Sequence, residues 1–283
     1  MTTITQENIN TVKIFRYPNF NSKYIPSRNI DIILPPNYSE SLKYPVIYMH
    51  DGQNLFDPST SFIGVDWGID ETINRLVNQN KIRPVIVVGI WNNGERISEY
   101  MPQKAYEKLS KKKRNFFDTY CKDKFGDDIL IYSDNYLKFI VEELKPFIDS
   151  SFNTITNCKN TFVMGSSMGG LISAYAMSEY PNIFGGAACL STHWLAGDGV
   201  MIDYLKTNLP SSENHKFYFD YGTKTLDAEY EPYQKKMDRV MKKQGYEKGK
   251  NWITEKFEDA EHSERAWRER AYIPISFLLN YSE

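Results

Sequence analysis

Residues 162–174 read FVMGSSMGGLISA and contain three structural signals in a short span. The first, residues 162–164, is an apolar run typical of a buried strand. Residues 165–169 then read G-x-S-x-G, with Ser167 at the centre. From Leu171 onward, apolar residues recur at helical spacing. The pattern predicts a buried strand, a sharp turn that carries Ser167, and a buried helix.

The glycines around Ser167 fit a turn that holds a nucleophilic serine. A side chain at Gly165 or Gly169 would collide with the neighbouring strand or helix, and the turn needs unusual backbone angles. In α/β-hydrolases this strand–turn–helix unit is the nucleophile elbow, which exposes a serine hydroxyl at the end of a sheet. Because G-x-S-x-G also occurs by chance, the strand before it and the helix after it carry the prediction.

Strand and helix patterns alternate from residue 45 to the end of the chain. The strand patterns lie at residues 11–17, 29–34, 45–49, 84–90, 162–164, 186–191, 216–222 and 252–257. The helix patterns lie at residues 68–79, from 133, from 171, at 199–208 and 228–244, and from 263. This order predicts an α/β fold, the α/β-hydrolase fold, with a mostly parallel central sheet and helices on both faces. We expect residues 1–283 to form a single domain.

Residues 92–132 interrupt this alternation. They are polar, with a basic run at residues 111–114 and scattered aromatic side chains. We expect them to form a lid-like insertion over the active-site edge of the sheet, with the basic run on a solvated face. In the helix that follows, Pro146 is expected to bend or end the helix.

The overall composition excludes several classes of protein. The chain has 283 residues, of which 41% are hydrophobic and 25% charged, and a formal net charge of −2. This charge gives no argument for nucleic acid or an anionic membrane as partner. Three widely spaced cysteines fit a reducing compartment better than a disulfide framework or a metal cluster. Residues 1–10 lack the apolar core of a signal peptide and no apolar run has membrane-spanning length, so we expect a cytoplasmic protein.

A serine nucleophile needs a base and a carboxylate that orients the base. In α/β-hydrolases the chain order is serine, acid, histidine. His262 is the histidine that follows the last predicted strand, and we expect it to be the base. The acid should follow the strand at residues 216–222. Asp227 is our choice there, with Asp220 and Glu229 as alternatives.

The oxyanion of an acyl-transfer reaction needs two hydrogen-bond donors. One is expected to be the backbone N–H of Met168, the residue after the nucleophile. The other is expected in the loop after the strand at 45–49, at Gly52 or Gln53. His50 and Asp51 are expected to hydrogen-bond this loop into shape.

Three further side chains lie beside strand ends or crossing loops near the predicted site. They are the candidates for substrate contact, with core packing as the alternative reading: His193, Trp194 and Tyr221. His193 follows a central strand at its carboxyl end, where ligands bind in open α/β sheets.

Together, four segments resemble the putative-esterase family of α/β-hydrolases, which includes enterochelin, feruloyl and acetylxylan esterases, S-formylglutathione hydrolase and mycolyltransferases. The segments are YMHDGQNLFD at 48–57, GSSMGG at 165–170, DYGT at 220–223, and EHS at 261–263 with Trp267 behind it. They span nearly the whole chain from residue 30 onward. The resemblance implies Ser167 as nucleophile, His262 as base and an acid within residues 220–229, and it does not fix the acid.

These observations lead to a functional expectation. We expect a serine esterase that hydrolyses a small-molecule carboxylic ester through a Ser-Asp-His triad and an acyl-enzyme, with no metal and no organic cofactor. Acylated carbohydrates, feruloyl-type esters, siderophore esters and small thioesters are the candidate substrates. An acyltransferase with the same triad is the alternative. A non-catalytic binding protein on a hydrolase fold is less favoured because both serine and histidine are present. The oligomeric state stays open.

Overall fold

A computed structural model describes residues 5–9, 12–126 and 129–281. The described chain forms a nine-stranded sheet. Its strands, in chain order, are β1 Thr5–Ile9, β2 Val12–Phe20, β3 Arg28–Ile33, β4 Val46–His50, β5 Ile86–Ile90, β6 Thr161–Ser166, β7 Gly186–Leu190, β8 Lys216–Gly222 and β9 Trp252–Phe257. The predicted strands are found, although residue 11 of the strand predicted at 11–17 lies outside the described residues.

The strands lie side by side in the order β1-β2-β3-β5-β4-β6-β7-β8-β9. β1, β2 and β3 pair antiparallel, and β3 also pairs antiparallel with β5. From β5 to β9 all neighbours are parallel. The predicted α/β-hydrolase fold with a mostly parallel sheet is confirmed. β1 was not predicted, because its sequence, TQENI, lacks both an apolar run and a clear alternation.

Helices cover both faces of this sheet. In chain order they are α1 Ile69–Asn78, α2 Arg96–Tyr100, α3 Gln103–Glu107, α4 Lys111–Phe125, α5 Ser133–Lys138, α6 Lys145–Ser151, α7 Met168–Glu179, α8 Val200–Asn208, α9 Glu231–Lys243, α10 Glu264–Arg270 and α11 Tyr272–Leu279. None of these described helices combines the length and the apolar character needed to cross a bilayer.

Two hydrophobic cores result, one on each face of the sheet. Alternate residues of a strand point to opposite faces. Tyr48 of β4 therefore joins the core that contains most of α7, whereas Ile47 and Met49 join the core beneath α1 and α11. All three side chains are fully buried. Burial on both faces explains why the central strands read as continuous apolar runs.

The helix after residue 132 does not end at Pro146. Between α5 and α6, residues Phe139–Leu144 adopt π-helical geometry, and Pro146 lies in the first turn of α6. Proline has no N–H to donate and its ring crowds the carbonyl one turn back. The preceding turn is wider, as in the π-bulges found inside other α-helices, and the helical path continues.

Residues 92–132 form the helices α2, α3 and α4, apart from connecting segments and residues 127–128, which lie outside the described chain. α2 contacts α5 and α7, and α3 contacts α8. Tyr100 and Met101 are fully buried, whereas Phe116 and Tyr120 of α4 are exposed. The segment therefore lies beside the helix that follows Ser167. That it acts as a lid over the active-site edge stays a prediction.

Candidate active site

Ser167 occupies a strained turn between β6 and α7. Its backbone angles are φ 57° and ψ −121°, a combination that side-chain-bearing residues rarely adopt. Such strain costs about 1–3 kcal/mol and persists only where the surroundings enforce it. Here the Ser167 N–H donates to the Leu190 carbonyl at 2.9 Å, and its carbonyl accepts from the N–H groups of His193 and Leu171, both at 3.1 Å. Ser167 is thereby fixed at the carboxyl edge of the sheet.

Two glycines allow the strand and the helix of this turn to approach each other. A Cβ atom on Gly165 would lie 2.7 Å from the backbone of Gly169, closer than real Cβ contacts allow. A Cβ atom on Gly169 would lie 3.3 Å from the Asp51 carboxylate. The glycine at position 169 therefore also lets the loop after β4 lie against the start of α7.

His262 and Asp227 lie together at the same edge. Nδ1 of His262 is 2.6 Å from Oδ1 of Asp227. Asp227 follows β8 in the short 3₁₀ turn Thr225–Glu229, and His262 follows β9. The Asp227 side chain is fully buried, and 13% of the His262 side chain is exposed. This pairing fixes a proton on Nδ1 and leaves Nε2 as the nitrogen that can accept one.

The other Asp227 oxygen is also hydrogen-bonded. Oδ2 accepts from Oγ of Ser191 and from the backbone N–H of Gly222, each at 2.6 Å. Burial by itself raises the pKa of the Asp227 carboxyl, but the hydrogen bonds from His262, Ser191 and Gly222 outweigh it and leave the pKa below its ordinary value. Asp227 is therefore a carboxylate at neutral pH.

The two alternative acids lie elsewhere. Asp220 is fully buried in β8, where its two oxygens pair with Nε and Nη2 of Arg270 at 3.1 and 3.0 Å. Glu229 is exposed to solvent. Nδ1 of His262 donates its hydrogen bond to Asp227, so the geometry favours Asp227 among the three candidates.

Asp227 is hydrogen-bonded to a buried polar network that the sequence did not predict. Ser191 Oγ accepts from Nε1 of Trp267 at 3.0 Å and from Nη2 of Arg270 at 2.8 Å, while it donates to Asp227. The Ser191 backbone N–H donates to Asp220 at 3.0 Å. Ser191 directly follows β7, so its place after a central strand was the one signal in the sequence.

Tyr230 is the second group that was missed. Its hydroxyl lies 2.7 Å from Nδ1 of His193, and the nearby Ser167 side chain lowers the pKa of the phenol against the larger effect of burial. Its ring centroid is 5.6 Å from that of His262. Tyr230 is 1% exposed. Tyr230 thus lies against both His193 and His262, and the His193 N–H binds the Ser167 carbonyl. That His193 contacts the substrate stays a prediction.

The predicted oxyanion donors lie at two helix starts. Met168 is the first residue of α7, so its N–H has no partner one turn back within the helix. Gly52 and Gln53 begin the 3₁₀ turn Gly52–Asn54, in which Asn54 is the first residue to bond back, to the Asp51 carbonyl at 2.9 Å. The N–H groups of Met168, Gly52 and Gln53 therefore have no acceptor within their own helical turns. That they bind the oxyanion stays a prediction.

Asp51 and His50 hold this donor loop. Asp51 has a left-handed backbone with φ 58°, and its carboxylate binds Nε and Nη2 of Arg96, each at 2.8 Å. Nδ2 of Asn92 adds a third bond at 2.7 Å. Burial raises the pKa of the Asp51 carboxyl, but Arg96 and Asn92 outweigh it and lower the pKa. His50 is buried, with Nδ1 2.7 Å from the hydroxyl of Tyr136.

Two of the proposed substrate contacts are buried side chains. Trp194 is 1% exposed, its indole N–H donates to Gln234 at 2.8 Å, and its ring lies against Phe219. Tyr221 is 6% exposed within β8. Trp194 is part of the core that contains most of α7, so the alternative reading, core packing, accounts for it. That Tyr221 contacts the substrate stays a prediction. A tryptophan or tyrosine next to a strand end gives the same sequence signal in either role.

The chain is similar in sequence or in fold to several known proteins. The Bacillus subtilis (strain 168) protein YbbA, described as uncharacterized, is 27% identical over 185 residues, which are 64% of this chain and 64% of YbbA. A solved IroE-like serine hydrolase from Shewanella oneidensis superposes with a TM-score of 0.67 at 18% identity, over 99% of this chain and 80% of the other. A ferulic acid esterase superposes with a TM-score of 0.65 at 14% identity, over 95% of this chain and 98% of the other.

At such low identity the solved structures show a shared fold. The family evidence comes from the sequence profile described as putative esterase, which matches residues 25–273. That range contains the strained Ser167 turn, the His262–Asp227 pair and the donor loop after β4. The chain belongs to the putative esterase family.

Proposed function

We propose that this chain is a serine esterase that hydrolyses a carboxylic ester through Ser167, Asp227 and His262. The family supports the class of carboxylic ester hydrolase. The observation that carries the finer proposal is the 2.6 Å contact between His262 and Asp227 at the edge where the strained Ser167 turn lies. Serine, acid and base follow one another in the chain order of α/β-hydrolases.

The chemistry follows from this geometry. Asp227 holds His262 with its proton on Nδ1, so Nε2 removes the proton of the Ser167 hydroxyl as Oγ attacks the ester carbonyl. The N–H of Met168, with that of Gly52 or Gln53, stabilises the negative oxygen of the tetrahedral intermediate. His262 then protonates the leaving alcohol. Water attacks the acyl-enzyme by the same route and releases the acid.

The candidate substrates are acylated carbohydrates, feruloyl-type esters, siderophore esters and small thioesters. The fold shared with a ferulic acid esterase supports the feruloyl type as the first to test. An acyltransferase would use the same residues and would differ in the hydroxyl compound that takes the acyl group. Product analysis with and without an added sugar or alcohol separates the two reactions.

The nucleophile is tested by Ser167→Ala with Ser166→Ala as the matched control. Both serines lie in the same turn, and Ser166 is buried at the end of β6. We expect Ser167→Ala to abolish hydrolysis of p-nitrophenyl acetate and covalent labelling by a fluorophosphonate, and Ser166→Ala to retain both. Undiminished labelling of the Ser167→Ala protein would refute the proposal.

A further inference from the structure

The Tyr230 hydroxyl lies between the proposed nucleophile and a second histidine. It is 2.7 Å from Nδ1 of His193, and the Ser167 side chain is close enough to lower the pKa of the phenol. The backbone N–H of His193 donates to the Ser167 carbonyl at 3.1 Å, which fixes His193 to the same turn. The triad chemistry described above makes no use of Tyr230 or His193.

The direction of the hydrogen bond between Tyr230 and His193 follows from the charge states. Burial, with the nearby charges of His262 and Arg96, lowers the pKa of His193 to about 3, so its ring is neutral and one nitrogen is an acceptor. Burial raises the pKa of Tyr230 well above its ordinary value, so the hydroxyl keeps its proton. The nearby Ser167 side chain lowers this pKa, but burial outweighs it. Because Tyr230 keeps its proton and the His193 ring is neutral, Tyr230 can donate to Nδ1 of His193 while its oxygen keeps lone pairs that accept.

In the acyl-enzyme the Tyr230 oxygen has no donor on Ser167. When Ser167 becomes an ester, its oxygen carries no proton and cannot donate to the phenol oxygen. The Tyr230 proton stays committed to His193, so the phenol oxygen is left as an acceptor. The ring of Tyr230 lies 5.6 Å from the ring of His262. At this separation one water molecule can bond to an acceptor on each ring, the phenol oxygen and Nε2 of His262.

We propose that Tyr230, oriented by His193, binds the water molecule that hydrolyses the acyl-enzyme. The inference rests on the proposed function. One hydrogen of the water bonds to the Tyr230 oxygen, and the other is transferred to Nε2 of His262 as the water oxygen bonds to the acyl carbon. The bond between that carbon and Oγ of Ser167 then breaks, and His262 returns the proton to Oγ. Tyr230 keeps its own proton throughout and His193 is a positioning residue.

The test measures acylation and deacylation separately in the variant Tyr230→Phe. This variant keeps the ring beside His262 and removes the hydroxyl. Stopped-flow hydrolysis of p-nitrophenyl acetate gives acylation from the burst and deacylation from the steady state. We expect deacylation to slow about tenfold or more, the effect of one good hydrogen bond, and acylation to change less than about threefold. Consequently kcat and KM fall together and kcat/KM stays nearly constant.

Two variants of His193 extend the test. His193→Phe removes the acceptor for the Tyr230 proton and should slow deacylation in the same direction. His193→Gln offers an amide oxygen in its place and should restore part of the rate. Added hydroxylamine, a stronger nucleophile than water, should restore turnover of Tyr230→Phe as hydroxamate. If Tyr230→Phe fails to fold, the two His193 variants decide the question by the same split.

Tyr246→Phe is the matched control, because Tyr246 is also buried and its hydroxyl donates to the Pro210 carbonyl at 3.1 Å. It should leave the two half-reactions in their native ratio. Equal slowing of both half-reactions in Tyr230→Phe, or no change in either, would overturn the inference. The proposed function fails separately, if Ser167→Ala still forms an acyl-enzyme.

Discussion

Asp227→Asn tests the acid with the smallest change in shape. In the native site, Oδ2 accepts from the backbone N–H of Gly222 at 2.6 Å and Oδ1 faces Nδ1 of His262 at 2.6 Å. The Ser191 hydroxyl can rotate, but a backbone N–H cannot turn away. The oxygen of the introduced amide must therefore take the Gly222 side, and its NH₂ group must face His262.

That orientation of the amide reverses the tautomer of His262. An NH₂ group donates to Nδ1, so the ring proton moves to Nε2, the nitrogen that must accept the Ser167 proton. The equivalent change in a Ser-His-Asp protease lowers kcat about 10⁴-fold, which corresponds to about 5.5 kcal/mol in the activation free energy. We expect a loss of this order in kcat for p-nitrophenyl acetate near pH 7, and a parallel loss in the rate of fluorophosphonate labelling.

Glu229→Gln is the matched control, since Glu229 is an exposed carboxylate two residues away and one of the alternative acids. It should keep its native kcat. A near-native rate in Asp227→Asn, or a large loss in Glu229→Gln, would refute the assignment of Asp227. Circular dichroism of both proteins shows whether the fold is retained.

Three other perturbations have definite expected outcomes. Gly52→Ala places a Cβ atom 2.6 Å from the carbonyl carbon of Gly89, so the donor loop must shift; we expect kcat to fall about 100-fold, measured with an aryl ester, as for loss of one oxyanion donor. Arg270→Met leaves the Asp220 carboxylate buried without its partner, and urea unfolding should show a loss of about 3–5 kcal/mol. His50 is buried and its pKa is lowered to about 3, so below pH 6.5 the unfolded chain binds a proton that the folded chain does not. The contribution of His50 to the free energy of unfolding is therefore complete above pH 6.5 and is lost as the pH falls towards 3, by about 1.4 kcal/mol per pH unit. In urea unfolding between pH 6.5 and 4.5, the free energy of unfolding of His50→Asn should fall less steeply with falling pH than that of the native protein.

The sequence was sufficient for those parts of the fold that local patterns determine. The apolar run at residues 84–90 contains β5, and the pattern at 68–79 contains α1, because burial on one or both faces leaves a periodic signal. The segment TQENI carries no such signal, and it forms β1 by backbone pairing with β2. Pro146 was expected to bend or end its helix, but a π-helical turn precedes it and the helix continues.

The candidate site likewise has residues that local sequence or chain order predicts and one, the acid, that they do not. The Ser167 turn has a local signature, and His262 follows from chain order. The choice among Asp220, Asp227 and Glu229 depends on which carboxylate reaches the His262 ring, and this is set by the turn after β8. Chain order limits the candidates for the acid to residues 220–229, and it does not choose among them.

Contacts between distant parts of the chain were not accessible from sequence. Ser191 and Arg270 are 79 residues apart and meet beneath Asp227. Tyr230 reaches His193 across 37 residues. Neither contact belongs to a motif, because each depends on how α9 and α10 pack against the sheet. The same dependence explains why Trp194 fits the sequence pattern of a substrate contact although it lies in the core.

The sheet order has a consequence for how activity is lost. Ser167 follows β6, which has a strand on each side, whereas His262 follows β9, which pairs within the described sheet with β8 alone. Outer strands open at a lower free energy than central ones. On heating, the base will lose its alignment while the nucleophile turn and the central strands are still folded. Thermal inactivation should therefore begin as a local and reversible event at one border of the sheet, at temperatures below the cooperative melting of the molecule.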